Sequence, residues 1–125
     1  MNKIKSLFLF YIIIFFSCDK DTEKGIEQEI CYSGKLVKKG ICMNYVIEVL
    51  DSEFNKNLIE IIWVDEFSDK EYQNVFTLAS VCDFPNDIME GEIFNFSVLE
   101  NYNEQCAVCL AYTPTPEKSL NIRLC

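Results

Sequence analysis

The sequence predicts an all-β domain cross-linked by disulfide bonds, and three observations support this prediction. Short segments in which apolar and polar residues alternate recur after residue 30, as they do in strands that bury one face. Turn-forming residues separate these segments, as at Lys38-Lys39-Gly40 and Asp83-Phe84-Pro85. The chain contains seven cysteines in 125 residues, which is typical of small exported domains.

Seven strands are predicted along the chain. The first covers residues 30–37. The second, at 41–50, has the clearest pattern, because Ile41, Met43, Tyr45, Ile47 and Val49 fall on one face. The charged stretch 65–74 is expected to be a loop or a single helical turn. The remaining strands are predicted at 58–64, 75–82, 94–98, 109–112 and 120–124.

Short strands of this kind form either a sandwich or a small barrel. We expect a small antiparallel barrel of the OB-like kind, because closure of the sheet leaves no exposed edge strands. An immunoglobulin-like β-sandwich is the alternative. Trp63 does lie between Cys42 and Cys82, but the tyrosine that precedes the second cysteine in immunoglobulin domains is missing.

The first eighteen residues have the order of an export signal. Lys3 and Lys5 precede a ten-residue apolar run, 7–16, and Ser17 and Cys18 follow it. A ten-residue helix is about 15 Å long, whereas a bilayer core is about 30 Å thick. The run is therefore too short to span a bilayer, and it fits the apolar region of a signal peptide.

The segment Phe15-Phe16-Ser17-Cys18 resembles the lipobox of bacterial lipoproteins. Its two phenylalanines differ from the commoner Leu and small residue, a relaxation also found in lipoproteins of Bacteroidetes-type bacteria. The resemblance implies that residues 1–17 are a cleaved signal peptide and that Cys18 carries palmitate or similar acyl chains. Residues 18–29 would be a flexible tether, and 30–125 the β-domain. An ordinary cleaved signal and an uncleaved anchor are the alternatives.

Removal of Cys18 from the count leaves an even set of cysteines, as expected for a disulfide framework in an oxidising compartment. We expect Cys31 to pair with Cys125, which would join the first strand to the last. The C-x-x-C motif at Cys106 and Cys109 could instead be a redox pair or half of a zinc site. The prolines that follow exclude the helix start that a redox motif needs, so we expect structural disulfides. The candidates are Cys31, Cys42, Cys82, Cys106, Cys109 and Cys125.

The chain after residue 17 is strongly acidic. Without Lys3 and Lys5 it has 9 basic and 20 acidic residues, a formal charge of −11. This charge argues against nucleic-acid binding and permits a basic protein partner. The sequence has no histidine, which excludes His-based catalysis and His-ligated metals. We therefore expect no enzyme activity, no catalytic residues, no metal and no cofactor.

One acidic and aromatic segment is a candidate interaction surface, because aromatic side chains supply contact area and carboxylates steer a basic partner. Its residues are Trp63, Asp65, Glu66, Phe67, Asp69 and Tyr72. The sequence thus predicts a small lipoprotein that is anchored by its lipid in the bacterial outer membrane, with exposure at the cell surface also allowed. Its role would be binding or structural, with a protein partner in the envelope. The alternatives are an immunity or inhibitor lipoprotein that neutralises a basic toxin or hydrolase, and a thiol oxidoreductase that uses Cys106 and Cys109.

Overall fold

A computed structural model describes residues 29–125, so the predicted signal peptide, Cys18 and all of the tether except Glu29 lie outside the described residues. The described chain forms one sheet of six strands. No helix within residues 29–125 has the length and apolar character needed to cross a bilayer. The strands are β1 (Tyr32–Lys39), β2 (Tyr45–Val49), β3 (Glu60–Val64), β4 (Glu71–Leu78), β5 (Ile93–Leu99) and β6 (Ser119–Leu124).

Five of these strands close into a barrel. The sheet order is β2-β1-β5-β6-β4-β3, and a further pairing of β2 with β4 completes the ring. The all-β, OB-like barrel predicted from the sequence is thereby confirmed. The sheet is mixed rather than fully antiparallel, because β4 and β6 pair in parallel. A closed ring with an odd number of strands must contain at least one parallel pair. β3 lies outside the ring and pairs with β4.

Aromatic side chains fill the inside of the barrel. Phe76 and Phe96 are fully buried, and their ring centroids lie 5.8 Å apart. Gly34 leaves room for this packing, since a Cβ atom at that position would lie 2.8 Å from Cε1 of Phe96. Phe54 and Ile59, from the connection between β2 and β3, belong to the same core cluster.

Three disulfide bonds cross-link the barrel. They join Cys31 to Cys125, Cys42 to Cys109 and Cys82 to Cys106. The first is the pair expected from the sequence. Three such bonds in a domain of this size place it in an oxidising compartment outside the cytoplasm.

Three predicted strands differ from the structure. The strand expected at 75–82 ends at Leu78, and residues 81–83 form a 3₁₀ turn. The expected strand 41–50 begins only at Tyr45, because Cys42 and Met43 adopt left-handed backbone angles, with φ values of 57° and 59°. Residues 41–43 form a short 3₁₀ turn instead. The strand predicted at 109–112 is wrong, since the whole connection 100–118 is irregular. Six strands therefore replace the seven expected.

The charged stretch 65–74 also differs from its prediction. Its second half forms the start of β4, and Gln73, Tyr72 and Glu71 pair with residues of β3. Strand β3, which lies outside the ring, is the partner of this part of β4. The charged side chain of Glu71 remains exposed to solvent there. Only residues 65–70 form the expected loop.

Candidate functional site

The connection between β5 and β6, residues 100–118, lies across the outside of the barrel. Cys106 and Cys109 fix its middle to Cys82 and Cys42. Its last part is hydrogen-bonded to two barrel strands, with the Lys38 ammonium 3.1 Å from the carbonyl of Pro114 and the Thr77 hydroxyl 2.6 Å from that of Pro116. The connection is thus held at both its disulfides and its end.

This connection covers the face of β2 and β4. In OB barrels the second and third strands of the ring, with the loops beside them, bind oligonucleotides or oligosaccharides. Here those strands are β2 and β4. In β2, Ile47 belongs to the barrel core, so its neighbour Val46 lies on the outer face of the barrel. Val46 is nevertheless fully buried. The residues paired with Val46, Lys38 and Thr77, are the ones that hold the connection, so the chain itself occupies this face.

The turn between β3 and β4 is attached to the same wall of the barrel. The buried carboxylate of Asp65 accepts a hydrogen bond from the Lys38 ammonium at 2.9 Å and one from the Phe67 amide at 3.0 Å. Burial opposes the charged form of Asp65, but these bonds outweigh it and hold the pKa of this carboxyl below its usual value. Lys38 therefore joins the β3–β4 turn to the β5–β6 connection.

The six residues of the predicted interaction surface are divided by this arrangement. Trp63 stacks on Tyr72 with ring centroids 5.5 Å apart, and the Lys38 ammonium lies 5.5 Å from the centre of the Trp63 ring. Asp65 is buried, and Asp69 shapes the turn with a φ of 56°. Among the six, Phe67 stands out as an exposed aromatic side chain beside an exposed carboxylate, Glu66.

An exposed apolar cluster forms where this turn meets the connection. We define it as the contacting rings of Phe67 and Tyr112 together with Leu110, which lies two residues before Tyr112 on the connection; the exposed fractions of Phe67, Tyr112 and Leu110 are 68%, 70% and 97%. The Phe67 and Tyr112 rings meet edge to face with centroids 6.0 Å apart. The Tyr112 hydroxyl donates a hydrogen bond of 2.6 Å to Glu66, and this bond raises the pKa of Tyr112.

Sequence reasoning found one member of the cluster, Phe67, and missed Leu110 and Tyr112. The sequence pattern places both in a strand at 109–112, whereas the structure has an irregular segment there. A signal for their exposure was present in the sequence, because Leu110-Ala111-Tyr112 is confined between Cys109 and a Thr-Pro-Thr-Pro run. Proline has no amide hydrogen to donate to a sheet, so a central strand at this position is disfavoured.

Most carboxylates of the described residues, 29–125, form no salt bridge. Among residues 29–125, the carboxylates in salt bridges are Asp65, with Lys38, and Glu29, with Arg123. Lys39 donates instead to the carbonyls of residues 86 and 88, and Lys118 donates to that of residue 59. The domain surface therefore carries a net negative potential.

Glu29 fixes the point at which the chain enters the domain. Its carboxylate accepts hydrogen bonds from the Ser97 hydroxyl and from the Arg123 guanidinium, which lower its pKa. The Cys31–Cys125 bond lies two residues further along. The last residue of the predicted tether is thus bound to strands β5 and β6.

Within residues 29–125, no three acidic or cysteine side chains converge as a metal site would require. Cys106 and Cys109 are each bonded to a cysteine outside their own motif. No family model, curated protein or solved structure matches this chain.

Proposed function

We propose that this protein is a lipoprotein of the bacterial outer membrane, held by acyl chains on Cys18, whose barrel domain binds a protein partner in the envelope and has no catalytic role. The exposed apolar cluster carries the proposal, since exposed apolar and aromatic groups held in a fixed arrangement are typical of interaction sites. The lipobox-like residues 15–18 support the attachment, and the three disulfides agree with a location outside the cytoplasm.

The attachment is tested by the intact mass of the protein purified from membranes. We expect a chain that begins at Cys18 and carries two or three acyl chains, since stable anchoring takes more than one. A Cys18→Ser variant should lose the acyl mass. If its signal peptide is still cleaved, the variant should leave the membrane fraction; if it is not, the variant should retain residues 1–17. A wild-type chain that retains residues 1–17 without acyl mass would contradict the proposal.

A second candidate function is neutralisation of a basic toxin or hydrolase, and the unpaired carboxylates of the domain favour it. Electrostatic steering would make the association rate fall steeply as salt is raised. An accessory role in an outer-membrane assembly predicts instead a membrane protein as partner. Thiol oxidoreductase activity requires a reactive thiol, and we expect Cys106 and Cys109 to resist alkylation in the native protein.

A further inference from the structure

We propose that the apolar cluster is the docking site for a cationic protein, and that the Cys42–Cys109 bond and Lys38 hold the cluster in its binding conformation. This inference rests on the proposed binding function and adds the surface and the charge of the partner. It is independent of whether Cys18 is acylated.

The cluster is ordered by covalent and polar contacts before any partner arrives. Tyr112 lies three residues from the Cys42–Cys109 bond, and its hydroxyl is fixed by Glu66. The Phe67 amide is bound to Asp65, and Lys38 bonds both to Asp65 and to the carbonyl of Pro114. Both halves of the cluster are thus fixed through one lysine. Order established during folding does not have to be gained on binding, which favours affinity.

The composition of the cluster suits a protein interface. Tyrosine is one of the residues enriched among those that dominate binding energy, and aromatic residues are enriched at interfaces in general. Leu110 is 97% exposed, so almost its whole side chain would be buried by a partner that offers an apolar recess. The groove behind it is mixed, with the apolar side chains of Met43, Leu78, Val81 and Val108 in its lining beside the polar ones of Asn44, Thr77, Thr113 and Thr115.

Charge decides the class of partner. The carboxylate of Glu66 accepts the hydrogen bond of Tyr112, and Asp69 is in the same turn as Glu66. The whole chain has a formal charge of −9. A second copy of this chain would bring the same charge, and a nucleic acid would bring a phosphate backbone, so both are repelled. A cationic protein gains attraction at the charged rim and apolar burial at the centre, as in other interfaces.

Photocrosslinking in the cells that produce the protein tests the docking site. The photoreactive residue p-benzoylphenylalanine replaces Leu110 in the full chain, and a matched chain carries it at Ile93, an exposed apolar residue of β5. We expect irradiation to join position 110 to one protein with an isoelectric point above about 9, in line with the cationic partner that steering requires. Position 93 should give no such adduct.

The partner identified in this way is then purified for binding measurements. We expect Leu110→Ser and Tyr112→Ser to weaken binding at least about tenfold, as truncation of a dominant interface residue does, whereas Ile93→Ser leaves it unchanged. Because Leu110 is almost fully exposed, its variant should keep the wild-type unfolding midpoint, which separates lost binding from lost folding. The association rate should fall as salt rises.

Several results would overturn the docking site: no adduct at position 110, equal adducts at positions 110 and 93, an adduct with a second copy, or an adduct with a neutral or acidic protein. The acyl mass on Cys18 is measured on the same samples. An acylated chain without the adduct would remove the docking site and leave the anchor. An adduct on a chain without acyl groups would remove the anchor and leave the docking site.

Discussion

The three disulfides are nested, with Cys82–Cys106 innermost, and this predicts how the free energy of unfolding responds to removal of the outer two. Cys31–Cys125 closes a separation of 94 residues and encloses Cys42–Cys109, which closes one of 67. Taken alone, loops of these lengths predict about 4.7 and 4.4 kcal/mol of stabilisation through the reduced entropy of the unfolded chain.

Each bond shortens the loop that the other one closes. Eleven residues separate Cys31 from Cys42 and sixteen separate Cys109 from Cys125, so about 27 residues close the loop when the other bond is present. The same expression then gives about 3.5 kcal/mol for either bond. Once one is gone, the Cys82–Cys106 bond, which spans 24 residues, still shortens the loop of the other to about 70 residues for Cys31–Cys125 or about 43 for Cys42–Cys109. Removal of the second bond then costs about 4.4 or 4.0 kcal/mol.

The variants are Cys31→Ala/Cys125→Ala, Cys42→Ala/Cys109→Ala and the combination of all four substitutions. Urea unfolding followed by fluorescence of Trp63, the single tryptophan, gives each free energy from the midpoint and slope. We expect losses of about 3.5, 3.5 and 8 kcal/mol, the last close to the whole stability of a typical domain. The nesting argument fails if the combined loss is smaller than the sum of the two separate losses, or if either separate loss is below about 1 kcal/mol.

Four further predictions concern individual side chains. Lys38→Met leaves the buried Asp65 carboxylate unpaired and should cost about 3–5 kcal/mol in urea unfolding, with part recovered in the Lys38→Met/Asp65→Asn double variant. Because the folded pKa of Asp65 is lowered, its contribution is complete above the usual carboxyl pKa and is lost as pH falls through the folded value; Asp65→Asn should flatten this acid limb. Gly34→Ala should cost about 1–3 kcal/mol by overpacking the barrel. Glu66→Gln should lower the pKa of Tyr112 in an ultraviolet titration referenced to Tyr112→Phe.

The strands that the sequence predicted best are those with a short, uninterrupted alternation. In β5, Phe96 is buried while Asn95 is exposed, and in β6 Ile122 is buried while Arg123 is exposed. The prediction at Ile41–Met43 failed because alternation reports which positions are apolar and says nothing about φ. Cys42 and Met43 keep the alternating pattern while their backbone is left-handed, so the pattern continued through a turn.

The candidate site was only half predictable for a different reason. Glu66 and Phe67 share a local acidic and aromatic segment that can be recognised in the sequence. Leu110 and Tyr112 lie more than forty residues away, and the path of the 100–118 connection brings Tyr112 to Phe67. Asp65 has the composition of a surface residue, but it is buried because Lys38, from a strand distant in sequence, supplies its counter-charge.

The topology of the barrel explains why contact with a protein is the role to test first. β6 must enter beside β4 and parallel to it to close the ring, and the chain that leads to it, 100–118, lies over the β2–β4 face. The Cys42–Cys109 and Cys82–Cys106 bonds hold it there. A barrel that covers its own groove gives up the concave surface on which OB barrels bind polymers. It presents instead Leu110 and Tyr112 on the outside of a cross-linked segment. Because this surface protrudes, the partner that we propose would need a recess to receive it.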